Sequence, residues 1–435
     1  MRACIAVGLS ALLAACQSAA PAKDADAAPS PAAATTRVDP AHLDAVLRGR
    51  VTDGKSVGVS ALVYENGREA YFGAFGDADR EAGHPMARDT IVQVYSMTKA
   101  ITGVVLMTLY EEGRFQLDDP LSKHLPEYAD MRVYAGTDAD GQPRYEAPSR
   151  PISVYDILRH TAGFAADNDQ TPVGRLLAEA RPVDPGHTLA EFSERLARVP
   201  LVAQPGTRWI YGPSVDVQAR LAEKLAGKPF AQLMRERVLD PLGMHDTSYL
   251  VPEAKRARMA AIYKWADGAF TRGRTDEFPT LNTVPWTFTP GGFGLASTLD
   301  DYMRFARMLV GGGAVDGVRI LEPATVALMA TDALPQQVTD SSWLPGKGQV
   351  GFGIDFAVRH SPPADAEEAS GAVGEFFWDG YANTLFWIDP RNDIAAVLFT
   401  QDVPPGSTGL HKAFRDAVYV HDAAASAAGK PPRAR

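Results

Sequence analysis

Alternating apolar and polar residues mark the beginning of the folded part of the chain. Val57, Val59 and Ala61 alternate with small or polar residues, and a second alternating run follows Asn66-Gly67. Asn-Gly between two such runs is a strong hairpin signal, because both residues accept the positive φ angles of a tight turn. The pattern therefore predicts a β-hairpin here.

A long apolar helix is predicted directly after the hairpin, from residue 94 to about residue 112. Gly113 should end this helix, since glycine readily takes the left-handed conformation found at helix C-termini. Further helix-like segments, punctuated by Pro and Gly, follow at 154–159, 189–197, 215–226 and 229–238. The middle of the chain is therefore expected to be helical.

Strand patterns return near the C-terminal end. The predicted strands are 351–358, 375–381, 383–388 and 394–400, and a final helix runs from 411 to about 420. Strands at both ends of the chain around a helical middle predict an α+β fold, in which one antiparallel sheet is flanked by helices and carries an inserted α-rich domain. The expected bounds are 38–113 and 291–421 for the sheet part and 114–290 for the insert.

Composition and charge exclude several classes of function. The 435 residues carry a net charge of -10 and no dense run of Lys or Arg, so nucleic-acid binding is not expected. The only cysteines are Cys4 and Cys16, and the 9 histidines form no ligand-spaced pair, so neither a metal site nor a cofactor is expected. Residues 49–56 match the P-loop pattern, but a helix-like segment precedes them and a strand follows, which is the reverse of the order that phosphate binding needs.

The N-terminus has the features of an export signal. Arg2 precedes a short apolar run that ends in Leu13-Ala14-Ala15-Cys16. The run is too short to span a bilayer and has the size of the apolar part of a signal peptide. Small residues before a Cys resemble the lipobox of bacterial lipoproteins, where cleavage leaves the Cys as a lipidated N-terminus. An ordinary secretory signal, cut at Ala15 or beyond, is the alternative.

Cleavage after a signal peptide of residues 1–15 would leave three parts. Residues 16–37 are rich in Ala, Pro and Ser and predict a flexible tether, 38–421 hold the folded domain, and 422–435 predict a loose tail. Gln17 is not the Asp associated with inner-membrane retention. We therefore expect an exported protein of the bacterial cell envelope, anchored in the outer membrane through Cys16 alone and facing the periplasm or the cell surface.

Ser96 and Lys99 are the candidate catalytic pair. They lie three positions apart at the start of the predicted long helix, and residues i and i+3 share a helix face. A lysine shielded from water can act as the base for a serine hydroxyl, and backbone N–H groups at a helix start can hold an oxyanion. A helix-capping Ser beside a surface Lys gives the same spacing. The helix that follows is too apolar for a surface helix, however, which predicts a buried crevice at Ser96.

A Ser-x-x-Lys motif heading an apolar helix after a Gly-rich hairpin resembles the penicillin-recognising serine hydrolases. Within that group the chain resembles the branch that holds class C β-lactamases, D-Ala-D-Ala carboxypeptidases and related carboxylesterases. The likeness runs over about residues 40–420 and includes the stretches 117–120, 158–163, 241–244 and 292–295. The resemblance implies a β-lactamase/transpeptidase-like fold and an acyl-enzyme intermediate formed on Ser96.

Two further motifs of the family have partial matches here. Its Tyr-x-Asn motif corresponds to a stretch in which Tyr211 keeps the phenol and Pro213 replaces the Asn. Its Lys-Thr-Gly or His-x-Gly motif corresponds to a stretch in which Trp378 replaces the cation and Gly380 is kept. The resemblance implies that Tyr211 relays a proton to the leaving group. It also implies that the backbone N–H of Tyr381 shares the oxyanion with that of the nucleophilic serine.

The replacements at Trp378 and Pro213 bear on the substrate class. β-Lactams and peptidoglycan stem peptides carry a carboxylate, which Trp378 cannot pair with as Lys or His could. Pro213 offers no side-chain donor to a substrate amide. Both departures favour an esterase-like serine hydrolase acting on a small ester, amide or peptide. A penicillin-binding D-Ala-D-Ala carboxypeptidase or weak class C-like β-lactamase is the first alternative, and a catalytically silent envelope binding protein is the second.

Replacing Cys16 by Ala should release the protein from the membrane as a soluble and still active enzyme, because the predicted tether separates Cys16 from the folded domain. Fractionation of cells that produce each form measures this. Ser30→Ala, in the same tether, is the matched control and should stay in the membrane fraction. Wild-type protein that is wholly soluble in the periplasm would contradict the lipoprotein prediction.

Overall fold

A computed structural model describes residues 38–274, 277–278, 280–338 and 349–419. The predicted signal peptide, the tether with Cys16 and the C-terminal tail lie outside these residues. None of the described helices combines the length and the apolar character that crossing a membrane requires.

Eleven α-helices lie in the described part of the chain. Their bounds are Pro40–Thr52 (α1), Thr98–Glu111 (α2), Leu121–His124 (α3), Val154–Leu158 (α4), Pro172–Ala180 (α5), Leu189–Leu196 (α6), Ser214–Ala226 (α7), Phe230–Met234 (α8), Leu299–Val310 (α9), Pro323–Met329 (α10) and Leu410–Val418 (α11). A single turn of 3₁₀ helix, Tyr95–Met97, leads into α2.

The same residues form seventeen strands. Their bounds are Gly58–Glu65 (β1), Arg68–Asp79 (β2), His84–Pro85 (β3), Val92–Gln93 (β4), Val133–Thr137 (β5), Pro143–Glu146 (β6), Tyr263–Ala266 (β7), Ala269–Arg272 (β8), Ala296–Ser297 (β9), Ala314–Val315 (β10), Val318–Arg319 (β11), Val350–Phe352 (β12), Ala357–Arg359 (β13), Phe376–Asp379 (β14), Leu385–Asp389 (β15), Ile394–Phe399 (β16) and Asp402–Val403 (β17).

Eight strands form one antiparallel sheet in the order β12-β13-β14-β15-β16-β1-β2-β3. Strand β1, from the N-terminal part, pairs with β16, from the C-terminal part, from Ser60 opposite Phe399 to Glu65 opposite Ile394. The two ends of the folded chain therefore share one sheet. This arrangement confirms the α+β fold class predicted from the sequence.

Helices cover both faces of the sheet. Phe386 of β15 packs against Tyr302 of α9, with ring centroids 5.1 Å apart, and the next residue, Trp387, packs against Phe414 of α11 at 5.3 Å. Successive side chains of a strand point to opposite faces. Helices α9 and α11 therefore lie on opposite sides of the sheet.

One detail of the sequence expectations is wrong, and another is incomplete. The predicted single strand 351–358 is two strands, β12 and β13, because the chain turns between them at Asp355, whose φ is 57°. The middle of the chain also contains the hairpins β5–β6 and β7–β8 beside its helices. The second hairpin turns at Asp267-Gly268, with φ angles of 52° and 83°, a signal of the same kind as Asn66-Gly67.

Helix α2 runs through the interior, and its first turn meets segments from distant parts of the chain. Residues 98–109 are all buried, and α2 packs against α7. Just before it, β4 pairs with β9, so the backbone of residues 292–297 runs beside the start of the helix. Val94 N–H donates to Leu295 O at 3.0 Å, and Thr384 Oγ1, just before β15, lies 3.4 Å from Val94 O. The fold thus gathers three separate segments around residue 96.

Candidate active site

Ser96 and Lys99 face each other at the entrance to α2. Lys99 Nζ lies 3.2 Å from Ser96 Oγ and donates to the carbonyl of Gly292 at 2.6 Å. Lys99 is only 6% exposed, whereas Ser96 is half-buried. The amine is therefore shielded from water while the hydroxyl stays within reach of a substrate. A shielded amine at this distance can accept the proton of the hydroxyl and make the serine a nucleophile.

The backbone turns sharply just before the serine. Tyr95 has a φ of 45°, which is uncommon for a residue other than glycine. Such conformations cost free energy and are found most often at functional sites. The buried ring of Tyr95 packs against Tyr381, with ring centroids 5.7 Å apart, and this contact joins the turn to the segment that follows β14.

Tyr211 lies beside the amine at the mouth of the site. Lys99 Nζ is 4.6 Å from the centre of the Tyr211 ring, and the Tyr211 hydroxyl accepts a hydrogen bond from Trp378 Nε1 at 3.4 Å. Tyr211 is 37% exposed. A phenol between a buried amine and solvent can carry a proton from the amine toward a leaving group.

Aromatic rings form a wall around Tyr211. Trp209 stacks on it at 5.7 Å with an interplanar angle of 10°, and the rings of His160 and Trp378 lie 5.2 and 5.5 Å away. Burial, helped by the charge of Lys99, lowers the pKa of His160 to about 3, so this imidazole is neutral near pH 7. Neither of its ring nitrogens has a hydrogen-bond partner among the described residues. His160 therefore supports Tyr211 by packing.

The sheet edge after β14 borders the site. Trp378 is 3% exposed, and a Cβ on Gly380 would lie 2.2 Å from Thr384 Oγ1 and 2.5 Å from Val94 O. Only glycine fits at such a distance, so residue 380 is what lets this edge approach the backbone before the serine. Within the described part of the chain, the N–H of Tyr381 donates no hydrogen bond and is available to an oxyanion.

Two buried carboxyl groups lie behind Lys99. Asp216 accepts the Gly292 N–H at 3.0 Å, and Asp355 accepts an amide N–H of Gln218 at 3.0 Å. Burial raises the pKa of both, that of Asp355 to about 8, while their hydrogen bonds and the charge of Lys99 oppose the rise. The sequence does not predict either residue, because neither belongs to a motif with a recognisable spacing.

The structure brings together the side chains of Ser96, Lys99, Tyr211 and Trp378, and it places Gly380 at the adjacent edge. Trp209 and His160 also belong to the site, and only the place of His160 in the stretch 158–163 indicated it indirectly. Cys16 lies outside the described residues. Within those residues, no group of three or more His, Cys, Asp or Glu could hold a metal ion.

Several known proteins are similar to this chain along most of its length. The sequence model of the Beta-lactamase family matches residues 43–421. An uncharacterized protein of Mycobacterium tuberculosis is 34% identical over 87% of this chain and 90% of its own length. Esterase EstB of Burkholderia gladioli is 28% identical over 87% of this chain and 95% of its own. The solved structure of EstCE1, a hydrolase with promiscuous acyltransferase activity, superposes with a TM-score of 0.72 at 27% identity and covers 87% of this chain and 98% of that chain.

Replacing Gly380 by Ala should slow the reaction of Ser96 with a fluorophosphonate by about 10²–10³-fold, the effect of losing one oxyanion donor. The added methyl group would meet Val94 O and push the Tyr381 N–H away from the serine. The rate of covalent labelling measures this, and the melting temperature confirms that the variant is folded. Gly49→Ala is the control, since a Cβ there has no neighbour within 4 Å and labelling should be unchanged. A folded Gly380→Ala enzyme that is labelled at the wild-type rate would contradict the assignment.

Proposed function

The chain belongs to the beta-lactamase family of serine hydrolases, and on that premise we propose that it is an esterase-like enzyme that cleaves small carboxylic esters through an acyl intermediate on Ser96. One contact carries this proposal: the buried amine Lys99 Nζ lies 3.2 Å from the accessible hydroxyl Ser96 Oγ, and the phenol of Tyr211 lies beside them.

Acylation begins when Ser96 Oγ attacks the ester carbonyl carbon. Lys99, as the neutral amine, takes the hydroxyl proton, and the carbonyl oxygen becomes an oxyanion bound by the backbone N–H groups of Ser96 and Tyr381. The bond to the leaving alkoxide then breaks, and the proton passes from Lys99 through Tyr211 to that alkoxide. The products of this half-reaction are an alcohol and acyl-Ser96.

Deacylation uses the same groups in the reverse direction. A water molecule attacks the acyl carbon while Tyr211 and Lys99 accept its proton, and the same two N–H groups bind the second oxyanion. The bond to Ser96 Oγ breaks, and the proton held by Lys99 returns to the serine. The free carboxylic acid leaves, and the enzyme regains its initial protonation state.

The chemical character of the site walls supports an ester without a carboxylate. Trp378 stands where the family resemblance implies a Lys or His, and its indole N–H faces the Tyr211 hydroxyl rather than a substrate anion. Trp209 and the exposed ring of Tyr381 add further apolar surface at this side of the site. The name of EstB as an esterase supports an ester substrate, and the description of EstCE1 as a hydrolase supports hydrolytic chemistry.

We also propose that the enzyme is an outer-membrane lipoprotein anchored through Cys16. The small residues that end the apolar run before Cys16, and the Ala- and Pro-rich segment after it, support this location. A tethered enzyme of this kind would meet esters that enter the cell envelope.

Ser96→Ala should reduce the hydrolysis of p-nitrophenyl acetate to near background, because no other group takes the place of the nucleophile. Adding Lys99→Ala to that variant should change the rate hardly further, since the two side chains act as a unit. Steady-state kinetics on purified, folded variants measure both. Ser149→Ala, at an exposed position, is the control with wild-type activity. Activity that survives Ser96→Ala on every substrate tested would overturn the serine-hydrolase mechanism.

The wild-type enzyme should hydrolyse p-nitrophenyl acetate with a higher kcat/KM than a cephalosporin. Trp378→Lys should shift that ratio toward the carboxylate-bearing substrate, because it restores a cation at the sheet edge. Trp378→Phe keeps an aromatic ring without a charge and is the matched control that should retain the preference for the ester. A wild-type preference for cephalosporins or D-Ala-D-Ala peptides would favour the carboxypeptidase or β-lactamase alternative instead.

A further inference from the structure

The backbone of residues 290–295, here called the glycine strap, is held in place at most of its peptide groups. It contains three glycines and passes beside the first turn of α2. Several hydrogen bonds hold it: Tyr249 OH donates to Pro290 O at 2.6 Å, Thr102 Oγ1 to Gly291 O at 2.7 Å, Asn282 Nδ2 to Gly294 O at 2.8 Å, Leu295 N to Thr98 Oγ1 at 3.2 Å and Val94 N to Leu295 O at 3.0 Å. The strap therefore has a defined position relative to Lys99.

Gly292 of the strap links a carboxylate to the catalytic amine. Its N–H donates to Asp216 Oδ1 at 3.0 Å, and its carbonyl accepts from Lys99 Nζ at 2.6 Å. A Cβ on Gly292 would lie 3.3 Å from Asp216 Oδ2 and 3.4 Å from Lys99 Nζ. Asp216 Oδ2 and Lys99 Nζ therefore both lie close to Gly292.

We propose that Asp216 is a positioning residue for acylation: its carboxylate is the buried counter-charge of Lys99 and fixes Gly292, whose carbonyl holds the amine against Ser96. This inference rests on the proposed function, because it takes Lys99 to be the base. Asp216 itself touches neither the substrate nor the reacting atoms.

Burial of both groups is the first argument for this pairing. Asp216 is 5% exposed and Lys99 is 6% exposed. A buried charge is strongly unfavourable unless an opposite charge and hydrogen bonds compensate it. Asp216 supplies the negative charge that a protonated Lys99 needs after it has taken the serine proton.

The contrast with Asp355 is the second argument. Burial raises the pKa of Asp355 to about 8, so this carboxyl is mainly protonated at neutral pH. Its Oδ1 accepts a hydrogen bond from Gln218, and its Oδ2 has no hydrogen-bond partner in the described residues. Burial also raises the pKa of Asp216, but the N–H groups of Gly292 and Gly291 oppose that rise. Backbone N–H donors favour the ionised carboxylate. Of the two acids behind Lys99, Asp216 is therefore the one suited to carry a negative charge.

Other titratable groups also face Lys99 or Asp216 and contribute to the local field. They come from the loops before and after α7, the turn between β12 and β13, and the neighbouring helical segments: Tyr128, His160, Asp167, Tyr211, Tyr249 and Asp355. All of them remain in place when only Asp216 is changed, so a difference in pH profile reports on that carboxylate.

The test compares Asp216→Asn with the wild-type enzyme. Asn keeps an oxygen for the Gly292 N–H but carries no charge, so it no longer stabilises a protonated Lys99. The acid limb of the kcat/KM profile for p-nitrophenyl acetate should move down by about one to two pH units, the effect of one charge acting across a short distance in a protein interior. Asp216→Ala also removes the acceptor and should lower kcat at every pH.

Asp301→Asn is the matched control. Asp301 is a buried carboxyl that accepts the Asp246 N–H at 2.6 Å and the Thr247 hydroxyl at 3.0 Å, away from the glycine strap. Its replacement should leave the acid limb at the wild-type pH. An acid limb of Asp216→Asn that coincides with the wild type, or an equal shift in Asp301→Asn, would overturn the proposal.

Two further measurements distinguish a failure of the Asp216 proposal from a failure of the proposed function or of folding. Ser96→Ala in the same assay separates the two hypotheses. Activity that survives Ser96→Ala overturns the proposed function. Loss of activity in Ser96→Ala, together with an unshifted acid limb in Asp216→Asn, overturns only the role of Asp216.

If Asp216→Asn does not fold, melting temperatures test the proposal instead. Lys99→Met leaves Asp216 without its counter-charge, so Lys99→Met combined with Asp216→Asn should melt at a higher temperature than Lys99→Met alone. An equal or lower melting temperature would overturn the counter-charge.

Discussion

The burial of one amine, that of Lys99, is the constraint on which the site depends. A lysine side chain inside an otherwise apolar helix must find acceptors there, because water is excluded. The protein supplies the Gly292 carbonyl at 2.6 Å and the Ser96 hydroxyl at 3.2 Å, and it places the face of Tyr211 alongside. The same arrangement that satisfies the amine also points it at the hydroxyl, so stability and chemistry impose the same geometry.

That arrangement is built from parts of the chain that lie far apart in sequence. The hydroxyl of Ser96 stands before α2, the phenol of Tyr211 before α7, the strap before β9 and the glycine edge after β14. Each part is fixed by contacts that leave no room for larger groups, as at Gly380, or by hydrogen bonds to the backbone, as along the glycine strap. Because protein interiors are closely packed, a displacement in one of these segments is transmitted to the others.

Local signals in the sequence predicted the elements that local interactions determine. The Asn66-Gly67 hairpin, the apolar helix and the late strands were of this kind, and the three-residue spacing of Ser96 and Lys99 brings them together across the turn that leads into α2. Asp216, Asp355 and His160 were not predicted, because their importance arises only when the folded chain buries them beside Lys99. The predicted strand 351–358 was wrong for a related reason: apolar alternation does not reveal a positive φ at Asp355. Lipidation of Cys16 remains a prediction.

The pairing of β1 with β16 has a consequence for how the chain folds. Residues more than three hundred positions apart are neighbours in the central sheet, with Ser60 opposite Phe399. Contacts between such distant positions form late and slow the folding of a chain. A chain released from the ribosome before β16 would carry both Ser96 and Lys99, yet the strand that joins its two ends would be missing. The pairing that closes the central sheet can therefore form only once nearly the whole polypeptide has been synthesised.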